Sequence, residues 1–435
     1  MIENITFVIF LPYSLRFGGL IHHTSHSPWR KMADSVRSLF KISSFHSDVQ
    51  PTILVGITHA QTCLVLAARL RALRHAGFRV LLLSSPGPLL DQTAAREGVE
   101  RIALPMRRGI SPFADLLSFF LLWRLIGRCK PDLVEFSTPK AGLLGTVAAC
   151  LRRVPRRVYM LRGLKLETSS GLKRRILLAA ERLTTRCAHV VLCNSQSLRQ
   201  QAVALGVAPD AKLQLLGEGS SNGVDVDRFR PGPSPVRERL GIPQGVPVVG
   251  YSGRLTRDKG LPELFQAFDL ILCAEPAAHL LLVGWFDVAE DALDPEFRRR
   301  ILGHPNIRCT GFVPDTAPYY RAMDMMVLPT WREGFPNVVL EAAASGIPVV
   351  TTASTGARDS VVPEVTGLLI PPGYPEAIFE AVLKLIRDPV RRRRMGLAAR
   401  AWTLEHYAES RVVGLTVDYY RNLIGRRLLS APGNA

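Results

Sequence analysis

MDMMVLPTWREGFPNVVLEAAASGIPVV, residues 323–350, divides into four pieces. MDMMVLPT is an apolar run of strand length. WREGF breaks the pattern. Pro336 suits the first turn of a helix, where a missing N–H costs nothing and the ring already fixes a helical φ. NVVLEAAAS continues as a short helix, with Gly346 where a left-handed residue ends one and Pro348 just beyond. PVVTTA (348–353) is a second apolar run. Strand, loop, helix and strand in that order form the repeating unit of a parallel sheet.

The loop and helix also carry chemistry. Glu333 falls in the loop and Glu341 on the second helical turn, with the helix start between them. Unpaired N–H groups and the positive end of the dipole make such a start a ready anion site. Acids on both sides suit a ligand bearing a phosphate and hydroxyls. A helix whose acids serve capping and surface roles fits EGFPNVVLE (333–341) equally well.

The same rhythm runs along most of the chain. TILVGIT, FRVLLLSS, VERIALPM, PDLVEFST, RRVYMLRG and HVVLCNS are expected strands between residues 51 and 195. Helical patterns separate them, among them CLVLAARLRALRHAG, SPFADLLSFFLLWRLIGRC and a longer one near 172–187. A Gly-, Pro- and Ser-rich stretch at 217–247 interrupts the rhythm as a linker does. VVGYSGRL, HLLLVGW, IRCTGFV, MMVLPT, PVVTTA and GLLIPP then resume it. Apolar strands alternating with helices predict α/β architecture with two Rossmann-like domains, each a doubly wound parallel sheet, at 51–232 and 246–390. A helical segment at 391–425 is expected to return toward the first. Residues 1–50 form a poorly defined extension, either a loose arm or sequence ahead of a start at Met32. Its apolar run is too short and broken to predict a membrane span. Ligands of such sheets bind beyond the carboxyl ends of the strands, so the cleft between the domains is the expected site.

YSGRLTRDKG (251–260) follows a strand and places Arg254 and Lys259 in a loop entering a helix. Two cations there neutralise a diphosphate and the charge of a leaving group. That loop and the one carrying Glu333 both leave the carboxyl edge of one parallel sheet. They are therefore expected to face a common diphosphate, with Glu341 near ribose hydroxyls and Glu333 near those of a sugar.

Composition narrows the partners. The 435 residues are 47% hydrophobic and 21% charged, a globular balance. A formal net charge of +18 favours polyanions or phosphorylated substrates. Residues 101–175 hold 16 Lys/Arg against 4 Asp/Glu, either a solvated basic face or an anion-binding one. Basic-plus-aromatic modules of a nucleic-acid binder are missing, so no nucleic-acid partner is expected. Seven cysteines without a CxxC pair predict reduced, structural thiols in a cytosolic protein. No HExxH or comparable cluster predicts a metal site.

GR…KG, the two glutamates of REGFPNVVLEAAASGIPVV and TGLLIPPG together resemble the retaining GT-B glycosyltransferases of family 4, over about residues 51–425. STPKAGLLGTVAA, LRGLKLETSSGLKRR, GEGSSNGVDVDRF and TGARDSV are similar to the capsular-polysaccharide and bacillosamine-linked transferases in particular. The resemblance implies a UDP-sugar donor, a polyprenyl-diphosphate-linked saccharide acceptor, retention of configuration, and no cofactor or essential metal. It implies a hexosyl- or N-acetylhexosaminyltransferase at the inner face of a bacterial cytoplasmic membrane. Carried over, Arg254 and Lys259 bind the diphosphate and Glu341 the ribose. Glu333 lies at the transferred sugar, with Gly334, Phe335, Pro336, Asn337 and Val338 lining that loop. A nucleotide-sugar-binding protein without turnover is the alternative.

The first half departs from the family pattern. GITHAQTC lacks the Gly-Gly pair of many members, and Arg162 stands where many have a histidine. Arg162 either binds acceptor or phosphate, or takes over a polar contact; His59 is a weaker substitute. Lys140, at a strand-to-helix junction, either meets an acceptor diphosphate or is a surface lysine. Residues 112–127 hold ten large apolar side chains in sixteen, with Arg107, Arg108, Arg124, Arg128 and Lys130 around them. This segment covers a sheet or beds into an anionic membrane surface.

Overall fold

The structure, a computed structural model, describes residues 50–107, 109, 111–287 and 291–430. Nearly all of the extension expected at 1–50, and Arg108, lie outside them.

Seven strands form the first sheet: β1 (Thr52–Gly56), β2 (Arg79–Ser84), β3 (Glu100–Ala103), β4 (Leu133–Ser137), β5 (Arg156–Leu161), β6 (Val190–Cys193) and β7 (Leu213–Leu215). All pair in parallel, in the order β3-β2-β1-β4-β5-β6-β7. Every residue of β1 and β4 is buried, because helices cover both faces. The connecting helices are α1 (Ala67–His75), α2 (Pro88–Glu97), α3 (Pro112–Cys129), α4 (Pro139–Leu151), α5 (Gly171–Cys187) and α6 (Gln196–Ala204). The residues expected to open α1 form a 3-10 segment, Ala60–Leu66, instead.

The second sheet has six strands: β8 (Val248–Ser252), β9 (His279–Val283), β10 (Ile307–Cys309), β11 (Met325–Leu328), β12 (Val349–Thr352) and β13 (Gly367–Ile370). Their order is β10-β9-β8-β11-β12-β13, again all parallel. The main covering helices are α7 (Leu261–Ala274), α8 (Pro295–Gly303), α9 (Asn337–Ala344) and α10 (Pro375–Arg387). Strand order reverses between β1 and β4 in one sheet and between β8 and β11 in the other. Loops leaving those strand ends diverge and open a crevice there.

The expected C-terminal helical segment is two helices, α11 (Pro389–Tyr407) and α12 (Glu409–Ser430), broken where Ala408 adopts extended backbone. The break coincides with tight backbone pairing: Val224 N–H donates to the Tyr407 carbonyl and Glu409 N–H to the Val224 carbonyl. Beyond it, Val413, Val417 and Tyr420 enter the hydrophobic core of the first sheet.

Candidate active site

The switch point of the second sheet carries the loop expected to meet a diphosphate. After β8 the chain passes Arg254, makes one 3-10 turn at Arg257–Lys259 and enters α7 through Gly260. Gly260 has φ +73°, and a Cβ on it would strike the Pro329 carbonyl. Glycine therefore lets the loop after β8 lie directly on the loop after β11. Trp331 N–H donates to the Asp258 carbonyl at 3.1 Å, and Arg332 pairs with the Asp258 carboxylate at 3.3 Å. Burial pushes the Asp258 carboxyl up, but the Thr256 hydroxyl and the cations Lys259, Arg332 and Arg254 outweigh it, so it sits below the ordinary range.

Lys259 and Glu333, 74 residues apart in sequence, meet here. Lys259 Nζ donates to Glu333 Oε1 at 2.5 Å, with both side chains about one-sixth exposed. Arg254 pairs with Asp287 at 2.9 Å. Asp287, Asp258 and Arg332 escaped the sequence reading, because acids and bases in loops carry no periodic signal.

The helix start lies beside this pair. Pro336 is the residue capping α9 rather than its first helical residue, with ψ 103°. Asn337 and Val338 are half-buried and open the helix, so their N–H groups precede any intrahelical partner. The Phe335 ring is buried in the core of the second sheet, its centroid 5.2 Å from that of Tyr407. Only its backbone is left to face a ligand. Glu341 is half-buried and accepts the Tyr320 hydroxyl on Oε2 at 2.7 Å. Burial raises its carboxyl to about 7, against the lowering pull of that hydrogen bond.

Across the cleft the two halves touch through backbone and short polar side chains. A Cβ on Gly334 would collide with the Arg162 carbonyl, so glycine permits the approach. Glu333 N–H donates to the Thr355 carbonyl, and the Thr355 hydroxyl donates to Glu167 Oε1 at 2.6 Å. Arg332 Nε donates to the Thr168 hydroxyl at 2.9 Å, and Gly356 N–H to the Ser197 hydroxyl at 2.8 Å. Ser197 in turn bonds Asp359. The segment LRGLKLETSS (161–170) thus faces the loop carrying Glu333.

The other first-half residues lie as follows. Lys140 Nζ is tied to Asp115 Oδ1 and the Gly109 carbonyl, both at 2.5 Å, so it is neither a loose surface lysine nor poised on an open site. The Thr58 hydroxyl accepts from Ala141 N–H in the first turn of α4. His59 is half-buried, with its Nδ1 accepting from Gln61 N–H at 3.3 Å.

The front half of α3 leaves Phe113 (91% exposed), Leu116 (68% exposed), Leu117 and Phe120 on the surface. Its buried side is Leu122, Leu125 and Ile126. Leu172, Lys173, Arg174, Arg175 and Ile176, at the start of α5, are exposed too. Both helices begin at the carboxyl edge of the first sheet, the edge that meets the cleft. Among the described residues no helix is long and apolar enough to cross a membrane.

Two family models match the chain. Residues 60–219 match "Glycosyl transferase 4-like domain" and residues 246–388 match "Glycosyl transferases group 1". The capsular polysaccharide biosynthesis glycosyltransferase CapM of Staphylococcus aureus is 35% identical over 341 residues, 78% of this chain and 89% of that protein. An Escherichia coli protein described as UDP-Gal:alpha-D-GlcNAc-diphosphoundecaprenol alpha-1,3-galactosyltransferase is 25% identical, over 71% of this chain and 80% of that one. In fold, the chain is similar to Anabaena HepE solved with UDP and glucose, with TM-score 0.72 and 21% identity over 86% of this chain and all of that one. With both halves of the chain matched, two parallel sheets flanking a cleft, and a relative of this identity over most of its length, the chain belongs to the family 4 (group 1) glycosyltransferases of the GT-B fold.

Proposed function

We propose that this glycosyltransferase moves a hexosyl or N-acetylhexosaminyl group from a UDP-sugar to a saccharide carried on a polyprenyl diphosphate, with retention of configuration and without an essential metal. The meeting of Lys259 and Glu333 at the switch point carries the reading. A cation and a carboxylate held together there by two loops match a donor that offers a diphosphate and a hydroxylated sugar side by side.

In this mechanism Arg254, Lys259 and the N–H groups opening α9 hold the diphosphate, and Glu341 accepts ribose hydroxyls. Glu333 accepts hydroxyls of the transferred sugar. The bond from the anomeric carbon to the donor phosphate breaks as the acceptor oxygen attacks from the same face. The acceptor proton passes to the departing phosphate oxygen. Two cations and a helix start stabilise the charge on leaving UDP.

The lipid-linked acceptor draws support from the E. coli relative, whose name specifies a diphosphoundecaprenol substrate. Exposed apolar side chains at the start of α3 and the basic start of α5, both at the carboxyl edge of the first sheet, suit an anionic membrane surface. Enzyme docked this way works at the inner face of the cytoplasmic membrane.

Purified full-length protein, given a panel of nucleotide-sugars and a polyprenyl-diphosphate-linked acceptor, is expected to form a lengthened lipid-linked product in excess EDTA. Tight donor binding with no transfer across the panel would mark a nucleotide-sugar-binding protein instead.

A further inference from the structure

Glu135 is a charged residue in the middle of a fully buried strand, and its surroundings leave a positive charge unmatched. Its two oxygens are taken. Arg69, fully buried on α1, donates from Nη2 to Oε1 at 2.6 Å, and the Tyr420 hydroxyl of α12 donates to Oε2 at 2.7 Å. Arg69 Nη1 reaches the Met160 sulfur at 3.6 Å. Alternation along the strand puts Ser137 on the same face as Glu135. Register pairs Ser137 with Met160, two residues before Arg162.

Arg162 joins this group and finds no partner in it. Its Nε and Nη2 are covered and make no hydrogen bond, and the same holds for the Ser137 hydroxyl and Arg69 Nε. Burial is the main cause lowering Arg162, to about 10, with Arg69 adding to it and Glu135 opposing. It therefore remains charged at neutral pH. Two guanidinium groups stand near one carboxylate that bonds only one of them, and a covered cation without a hydrogen-bonded counter-charge is costly. Tyr420 and Arg69 together deny Glu135 to Arg162.

The position of this charge tells what it meets. Arg162 directly follows β5 at the cleft, its carbonyl against Gly334 and one residue from Glu333. The residue as a whole is half-buried. No hydrogen bond holds Nε and Nη2 inside, so turning the fork to the cleft by rotation about the side-chain bonds would break none. A guanidinium fork matches a phosphate or carboxylate in bidentate fashion.

We propose that Arg162, kept unpaired by the Arg69–Glu135–Tyr420 network and assisted by Ser137, binds an oxyanion of the acceptor opposite the donor clamp. The oxyanion is a phosphate of the diphosphate linkage or the carboxylate of an acidic sugar. Arg69 and Tyr420 act as positioning residues. The proposal rests on the transferase reading for the word acceptor, but its binding arm needs no turnover.

The test uses full-length protein saturated with UDP, so that the donor clamp is filled. Inorganic pyrophosphate and glucuronate are titrated in separate thermal-shift series against wild type, Arg162→Gln and Arg162→Lys. One anion is expected to raise the wild-type melting temperature and to leave Arg162→Gln unmoved, with Arg162→Lys between them. Pyrophosphate acting identifies the linkage phosphate; glucuronate acting identifies a sugar acid. The kinetic arm compares a diphosphate-linked acceptor, a neutral alkyl glycoside of the same saccharide and that glycoside bearing a uronic acid. Wild type is expected to prefer the anionic acceptor in kcat/KM by roughly tenfold or more, the scale of one hydrogen bond to a charged group. Arg162→Gln should erase the preference while leaving the donor KM unchanged and the ligand-free melting temperature equal or higher. An equal loss on neutral and anionic acceptors, a raised donor KM or a lower melting temperature would overturn the proposal. Pyrophosphate binding without transfer to any acceptor would sink the transferase reading and leave the anion site standing.

Discussion

Glu333→Gln separates two effects that a simple loss of function would merge. In the structure Glu333 holds Lys259 at 2.5 Å, so a donor diphosphate must compete with that carboxylate for the ammonium. A hydrogen bond to a charged group contributes about 1.5–3 kcal/mol. Solvent screening of a pair about one-sixth exposed reduces this, and the glutamine carbonyl still accepts a neutral hydrogen bond. The charge-dependent excess is then about 1 kcal/mol, which is about fivefold in affinity. UDP, which carries no sugar for Glu333 to hold, should bind Glu333→Gln about fivefold more tightly than wild type. Sugar transfer should fall about 10²–10³-fold, the usual cost of removing one preorganised electrostatic group. Isothermal titration with UDP and a steady-state transfer assay on the same preparation read the two effects. Weaker UDP binding by the variant, or near-normal turnover, would refute the reasoning that Glu333 both restrains Lys259 and serves the sugar.

Three further outcomes follow from the geometry. Glu341 is raised to about 7, and UDP-sugar, a diester, does not titrate near that value; its affinity should therefore fall as pH drops from 8 to 6 and the carboxylate protonates, and Glu341→Gln should flatten the profile. Because the folded carboxyl lies above its ordinary value, Glu341 withdraws stability as pH rises from the usual carboxyl range through about 7, so Glu341→Gln should melt higher than wild type at pH 8, by a free energy on the order of 3 kcal/mol. Phe113→Glu/Leu116→Glu/Phe120→Glu should abolish cosedimentation with anionic vesicles while leaving transfer to a water-soluble short-chain acceptor within about twofold, since these side chains are exposed and surface changes rarely perturb the fold; retained vesicle binding would remove α3 from the membrane contact.

Much of the fold was legible because parallel strands buried on both faces are apolar runs. All six strands of the second sheet fall inside stretches readable as such, from VVGYSGRL to GLLIPP. Leu213–Leu215 was not readable: three residues, one of them exposed, make no pattern, so the seventh strand of the first sheet and α6 before it went unassigned. That the loops after β8 and β11 would lie together was legible because each combines a helix start with charges fixed by local spacing, and sheet parallelism brings their strand ends to one edge. That Lys259 and Glu333 would pair directly was not, since it depends on the switch point making β8 and β11 neighbours. Arg69, Glu135, Arg162 and Tyr420 come from four distant segments and meet only in the folded chain. Glu135 within LVEFS was the one available signal, a charge at an inward position of an apolar strand. Lys140 was located correctly at a helix start, but its partners Asp115 and Gly109 come from the preceding crossover.

The donor clamp is the centre of the account, and calorimetric titration of UDP into Arg254→Ala/Lys259→Ala tests it most directly. Each cation lost from a diphosphate is worth about 1.5–3 kcal/mol. The dissociation constant should therefore rise by about 10²–10⁴-fold in a variant that melts cooperatively. An unchanged UDP affinity in that folded variant would contradict it.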